Sequence, residues 1–473
     1  MSIACRVAGS QITTHNNVQS RRNVVVSEEG EVFVWGNMRD PGYPPIDRPP
    51  QKGGPVKLKN LPKIVMVSCG DMISAVVGDD GSLWTWGSTT GSGHTLLTSL
   101  PTQVPRQEFN DCVVMVACGT AHTIALTASG QVFTCGDGSD GALGLGTNDN
   151  VRRFSVVATL TAMAPTPCIM VAAGAQHSVV LEASGTVWTF GSGVMGALGQ
   201  GHFREEATPR RLRPFCDAGQ HVEMVAAGGA NTAVVTSAGV LWTWGSGTFG
   251  QLGVPMLVGA PLHKCDPQRV TMPLCAGRAI TNQVLTVSCG TFHTLMLKRN
   301  GSLWGCGQNT HGELSPTSLT GHPRALDYVF TPRLLGPTFA GRKFVSVFAT
   351  FRGSSAVDEF GDLVQWGSGM TGGGPDPYVG LPKTRLLPSR IGRCHELPYA
   401  MVEALCMGAM ARLAIRDQPP HCAMRNGFDN QDVFRTITPL CISWPEGVAG
   451  NRLRSMPGLM RWIGAYVVRQ SRF

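Results

Sequence analysis

Residues 112–146 read CVVMVACGTAHTIALTASGQVFTCGDGSDGALGLG, and two later stretches say nearly the same thing: CIMVAAGAQHSVVLEASGTVWTFGSGVMGALGQG at 168–201 and HVEMVAAGGANTAVVTSAGVLWTWGSGTFGQLG at 221–253. A period of roughly fifty residues marks one supersecondary unit stacked several times. Each copy has two halves. The first is an apolar run, a glycine and a second apolar run, as in VMVACG-TAHTIALT at 114–127; the second is a turn, a short strand and an aromatic-glycine ending, as in ASGQVFTCG at 128–136. Short β-rich runs bounded by glycine, asparagine and aspartate read as strands joined in hairpins, with glycine taking the positive φ of the tight turn.

The aromatic-glycine ending, with cysteine in the aromatic place twice, occurs seven times: Trp35-Gly36, Trp86-Gly87, Cys135-Gly136, Phe190-Gly191, Trp244-Gly245, Cys306-Gly307 and Trp366-Gly367. The first-half glycine is clear at Gly70, Gly119, Gly174, Gly228 and Gly290, is replaced at Ala349, and returns at Gly408. The chain therefore opens on a second half, NVVVSEEGEVFVWG at 23–36, and the repeat stops after a first half near Asp417. The expected fold is all-β: a seven-bladed β-propeller closed by pairing of the N- and C-terminal segments, which removes open strand edges. An extra blade built from residues 5–20 is the less economical reading. Two domains are expected, the propeller over 1–417 and an arginine-rich C-terminal extension over 418–473.

The block CG-x-x-H-[ST], then L-T-x-x-G, then W-G-x-G-x-x-G-x-L-G closely resembles the repeats of the regulator-of-chromosome-condensation family. The resemblance covers about residues 5–417 and is tightest in units three to five. It implies a seven-bladed propeller. The founding member exchanges guanine nucleotide on the Ran GTPase and docks on nucleosomes through basic elements, so exchange on a Ran-like small GTPase is one implied function. The loop expected to carry an exchange wedge, STTGSGHTLLTSLPTQVP at 88–105, holds no acid, and no basic arm precedes the first blade. No catalytic residue is carried over.

Composition bounds the alternatives. Hydrophobic residues make up 42% and charged residues 15% of the 473, enough for a globular core. No run reaches the ~18–20 apolar residues a membrane span needs. The net charge is +8, with 8 lysines against 31 arginines, a bias suited to carboxylate and phosphate contacts as well as to base composition. The 15 cysteines include no CxxC pair. Cys69, Cys118 and Cys289 precede the repeat glycine, and Cys135 and Cys306 stand where tryptophan usually does, so they read as small apolar residues in a reducing compartment. Residues 1–27 hold Arg6, Arg21 and Arg22 and no acid, which faintly resembles a mitochondrial targeting segment, although a first strand explains the stretch better. An intracellular location is expected: the mitochondrial matrix, with nucleus or cilium and cytoskeleton as alternatives.

Several motifs invite a chemistry they do not carry. GxGxxG occurs at Gly136, Gly191, Gly245 and Gly367, but no copy opens a helix long enough for a dinucleotide fold, so the glycines read as turn architecture. His122, His177 and His293 recur at one repeat position that Ile73 and Asn231 occupy elsewhere; a buried imidazole bonded to backbone within its blade is the expectation. Cys394-His395 and His421-Cys422 match no zinc spacing. No nucleophile–base pair stands out, so no enzyme, cofactor or metal is expected. Trp84, Trp86, Trp242 and Trp244 read as packing between blades.

What remains is a scaffold, a protein-interaction subunit of an organellar ribosome, another ribonucleoprotein, or a ciliary or cytoskeletal complex. Candidate contacts are Arg152 and Arg153 with Arg210, Arg211 and Arg213, which follow the L-G turn in successive units, and Arg452, Arg454, Arg461, Trp462, Tyr466 and Arg469 in the tail. Residues 457–470 space Leu459, Trp462, Ile463, Tyr466 and Val467 as one face of a short helix. Expected partners are other proteins of the complex and RNA through the arginines. Long loops at 39–63, 254–283, 308–342 and 371–400 offer further surface.

Overall fold

The structure, a computed structural model, describes residues 7–9, 22–26, 30–36, 56–88, 90–94, 98–213, 220–255, 261–273, 283–314, 328–335, 339, 342–359 and 363–367. Its strands run in chain order through successive antiparallel sheets. The first blade holds β1 (Val7–Gly9), β2 (Arg22–Val26), β3 (Val32–Gly36) and β4 (Val56–Lys57). The second holds β5 (Ile64–Cys69), β6 (Ile73–Gly78), β7 (Leu83–Gly87) and β8 (Thr98–Gln103). The third holds β9 (Val113–Cys118), β10 (His122–Thr127), β11 (Val132–Gly136) and β12 (Val151–Val156), and is followed by a single helical turn and a half, α1 (Ala158–Met163). The fourth holds β13 (Cys168–Ala173), β14 (His177–Glu182), β15 (Val187–Gly191) and β16 (Glu206–Arg211). The fifth holds β17 (Val222–Ala227), β18 (Asn231–Thr236), β19 (Leu241–Gly245) and β20 (Lys264–Arg269). The sixth holds β21 (Val284–Cys289), β22 (His293–Lys298), β23 (Leu303–Gln308) and β24 (Tyr328–Leu334). A last sheet has three strands, β25 (Phe344–Ala349), β26 (Gly353–Asp358) and β27 (Leu363–Gly367).

The fold is an all-β propeller with six complete four-stranded blades, not the seven expected. The last sheet lacks an outer strand among the described residues, because the chain that would supply it follows Gly367 and lies outside them. A second expectation is also corrected. The innermost strand of the first blade is not borrowed from the C-terminal half-unit but is β1, with Val7 opposite Val25, Ala8 opposite Val24 and Gly9 opposite Asn23. Pairing within one local segment closes a far shorter loop than pairing across the whole chain, and so costs less chain entropy. The half-unit around Gly408 lies outside the described residues. The circle of innermost strands is nonetheless continuous: each of β5, β9, β13, β17, β21 and β25 stands beside the next, and β1 lies against both β25 and β5.

The chain also divides into two compact units, 1–393 with 398–408, and 394–397 with 409–473; the second lies wholly outside the described residues. Among the described residues no helix is long and apolar enough to cross a membrane.

The repeat's first half becomes the first and second strands and its second half the third, joined by a turn where glycine sits at positive φ, as Gly130 (φ 84°) and Gly185 (φ 84°) do. The second strand of each blade from β6 to β26 is buried at all six positions, because it is covered by a neighbouring blade on both faces. That double cover explains why its sequence lacks the alternation of apolar and exposed polar residues, the polar residues it does carry being buried at its ends. The core accordingly lies between blades. One cluster joins Ile124, Leu126 and Val132 of the third blade to Val171, Val180, Trp188 and Phe190 of the fourth. Outer strands are less buried, with half of β12 and β16 exposed.

Candidate functional site

The residues that the repeat conserves within itself converge on the joints between blades. His122 Nε2 lies 3.1 Å from Ser178 Oγ of the next blade, His177 Nε2 lies 2.9 Å from Thr232 Oγ1, and His293 Nε2 lies 2.8 Å from Ser354 Oγ. Each hydroxyl donates in turn to a carbonyl of the blade before it: Ser178 to Ala142 O (2.8 Å), Thr232 to Ala197 O (2.8 Å) and Ser354 to Glu313 O (2.6 Å). A hydroxyl has one hydrogen. With that hydrogen on the carbonyl, the imidazole must be the neutral Nε2–H donor. The expected bond to backbone within one blade is thus corrected to a relay between two blades.

Burial lowers the pKa of all three imidazoles, to about 4 for His122 and about 3 for His177 and His293. Asp137 partly offsets the effect at His122, and His122 adds to it at His177. The glycine three residues earlier is part of the same device: a Cβ on Gly119, Gly174 or Gly290 would collide with the imidazole ring above it. The G-x-x-H spacing is a packing requirement.

The tryptophan-or-cysteine alternation has the same logic. Trp244 Nε1 donates to Ala197 O at 2.9 Å and Trp366 Nε1 to Glu313 O at 2.8 Å, the carbonyls already used by Thr232 and Ser354. Cys135 and Cys306 occupy the equivalent place and direct their thiols to Gly91 O (3.3 Å) and Gln251 O (3.6 Å). These cysteines are therefore donors to the preceding blade, beyond the small apolar role read from sequence. Burial raises their pKa, well above the ordinary value for Cys135, and keeps the S–H protonated. The described cysteines form no disulfide.

The middle glycines of the GxGxxG loops pack against their own returning limbs. A Cβ on Gly138 would strike Asp149 O, one on Gly193 would strike Arg204 O, and one on Gly247 would strike Leu262 O, each from the returning limb of the same loop. The helices that follow Gly138 and Gly193 are three-residue 3-10 turns. No group of three or more metal-ligating side chains converges among the described residues. Thr98–Gln103, within the segment expected to carry an exchange wedge, forms outer strand β8, and Gly91, Ser92 and Gly93 are buried against the blade.

The arginine sites are only partly brought together. Arg152 and Arg153 lie exposed on β12, and Arg210 and Arg211 lie exposed on β16, outer strands of adjacent blades, with Arg213 exposed just beyond. Their registers differ. Thr189 pairs with Arg210 and Trp188 with Arg211, but the matching Thr134 and Phe133 pair with Ser155 and Val156. Neighbouring residues of a strand also point to opposite faces, so each pair is split. Arg210 is bound 2.8 Å from Glu206, which also lies 3.3 Å from His202. The tail residues Arg452, Arg454, Arg461, Trp462, Tyr466 and Arg469 lie outside the described residues.

Two features escaped the sequence reading. Pro101, Pro209, Pro267 and Pro332 occupy one register position on outer strands β8, β16, β20 and β24, each just before the residue paired with Thr85, Thr189, Thr243 or Gly305. The signal was an x-P-x-[RQL] recurrence. The second is an aromatic chain on the propeller face formed by the turns between first and second strands. Phe249 meets Phe292 (ring centroids 5.0 Å) and Tyr328 (5.4 Å), Phe292 meets Phe351 (5.5 Å), and the Arg352 guanidinium lies 4.8 Å over Phe351.

Comparison with known proteins agrees with this geometry. A family model described as an RCC1-like domain matches residues 31–376. The ultraviolet-B receptor UVR8 of Arabidopsis thaliana is 31% identical over 265 residues, 55% of this chain and 56% of that protein. The RCC1 domain-containing mitochondrial protein RUG3 of the same plant is 28% identical over 296 residues, 58% of this chain and 62% of that protein. The chain thus spans less than two thirds of either relative. Among solved structures, Prp20p from Saccharomyces cerevisiae, described with its binding to Gsp1p and histones, superposes with a TM-score of 0.59 at 24% identity, over 76% of this chain and 86% of that one.

Proposed function

Because this chain belongs to the RCC1-like domain family, we propose that it acts as a non-catalytic propeller scaffold, a protein-interaction subunit of a larger assembly. One observation carries the reading: the histidines, hydroxyls, tryptophans, cysteines and glycines that recur are occupied in joining blade to blade. What varies between copies is on the loops and outer strands. A propeller presents such loops on broad faces, and partners bind there. The basic N-terminal segment and the likeness to a mitochondrial relative support a mitochondrial location. The arginine-rich extension over 418–473 serves as a tether to the assembly, with the propeller over 1–417 as the folded body.

Nucleotide exchange on a small GTPase draws no support from segment 88–105, whose residues Thr98–Gln103 supply an outer strand. The test is a deletion of 418–473 in cells, followed by affinity capture with crosslinking. The shortened chain is expected to keep the β-rich circular dichroism and melting of the full chain and to lose its partners. Retention of the same partners would remove the tether role, and capture of no partner by the full chain would remove the scaffold reading.

A further inference from the structure

The aromatic chain is not something the repeat needs. In the turn between first and second strands, Phe292 takes the place held by Met72, Ala121, Gln176 and Ala230 in earlier blades. Phe351 takes the place of Asp71, Thr120, Ala175, Gly229 and Thr291. Those blades close without an aromatic ring there, so blade formation does not explain the rings. Three consecutive blades nevertheless bring them into contact: the loop after β19 gives Phe249, the turn after β21 gives Phe292, and the turn after β25 gives Phe351 and Arg352. Tyr328, at the start of β24, extends the chain outward and is 39% exposed. The three phenylalanines are half-buried.

Arg352 ends the chain. Its guanidinium lies over the Phe351 ring, and its Nε is buried with no hydrogen-bond partner among the described residues. A guanidinium presents a fork that fits a carboxylate. Interfaces concentrate their binding energy in such aromatic and arginine anchors.

We infer that the Phe249–Phe292–Phe351–Arg352 strip is a docking site for a partner-protein segment that places an apolar side chain beside a carboxylate. The apolar group lies on the rings and the carboxylate pairs with Arg352. Single-stranded nucleic acid fits less well. Tracking a phosphate backbone needs a row of cations, whereas this strip has one arginine, and its rings meet at interplanar angles of 75°, 37° and 56° and present no flat stack. The inference rests on the scaffold reading above and specifies one surface of it.

A random dodecapeptide library displayed on phage is panned against the full chain, and enriched peptides are measured by fluorescence anisotropy against the full chain, Phe292→Ala and Arg352→Gln. Enriched peptides are expected to pair an acid with an adjacent aromatic or aliphatic residue and to bind each variant about tenfold or more weakly, with melting temperatures unchanged. Four results would each overturn the site: no enrichment, equal binding to the variants, poly(U) binding with the same residue dependence, or self-association abolished by Phe292→Ala. If partners captured from cells remain bound to both variants, this site fails while the scaffold reading stands.

Discussion

At the scale of the residue, the relay explains why histidine recurs without any chemistry to perform. A neutral imidazole donates to a hydroxyl that donates to a carbonyl, and three groups from two blades are satisfied at once. The folded pKa values lie below the unfolded value near 6.5. The relay's contribution is therefore complete above pH 6.5 and is lost as pH falls toward 3–4, because the unfolded chain binds the protons first. For each histidine the loss by pH 5 is about 2 kcal/mol. Asn231 already stands in this position in the fifth blade, so His177→Asn is the natural replacement. It is expected to cost about 1–2 kcal/mol at pH 7 and to lessen the drop in stability between pH 7 and pH 5 by about 2 kcal/mol. Urea unfolding at the two pH values checks both; an unchanged pH slope would mean that His177 titrates elsewhere.

At the scale of the element, repetition in the sequence predicted the strands but not their partners. The apolar run, the glycine turn and the aromatic ending located the second and third strands of every blade, because those strands are buried by neighbours on both faces and cannot vary much. Outer strands such as β16 and β20 are partly exposed and carry no apolar alternation, only a recurring proline. The prolines there mark an edge: Pro has no N–H to offer an incoming strand, and outer strands are where another chain would pair. Replacing Pro209 and Pro267 by valine is expected to leave the blade count and melting temperature near those of the original while raising the rate of aggregation at 37 °C, followed by light scattering. Equal scattering would show that the prolines do not guard the edge. A first strand within residues 1–27 was legible and is β1, but its place in the first blade was given to the C-terminal half-unit because residues 5–20 lack the aromatic ending of the repeat.

At the scale of the whole molecule, the family and the propeller were legible because they depend on what repeats. The histidine relay was visible as a recurring letter but not as a contact, since Ser178 lies 56 residues from His122 and only the ring of blades brings them together. The candidate arginines were read as equivalent because both follow the L-G turn, yet strand register places them differently. The aromatic strip was invisible, because Phe249, Phe292 and Phe351 come from three separate units. The account's central claim is that such non-repeating surfaces serve an assembly. Sedimentation of a native cell extract, followed by detection of the full chain across the gradient, tests it most directly. The account predicts that the chain migrates with a particle much larger than itself and moves to the free position when 418–473 is removed. Migration of the full chain at the free position throughout would contradict it.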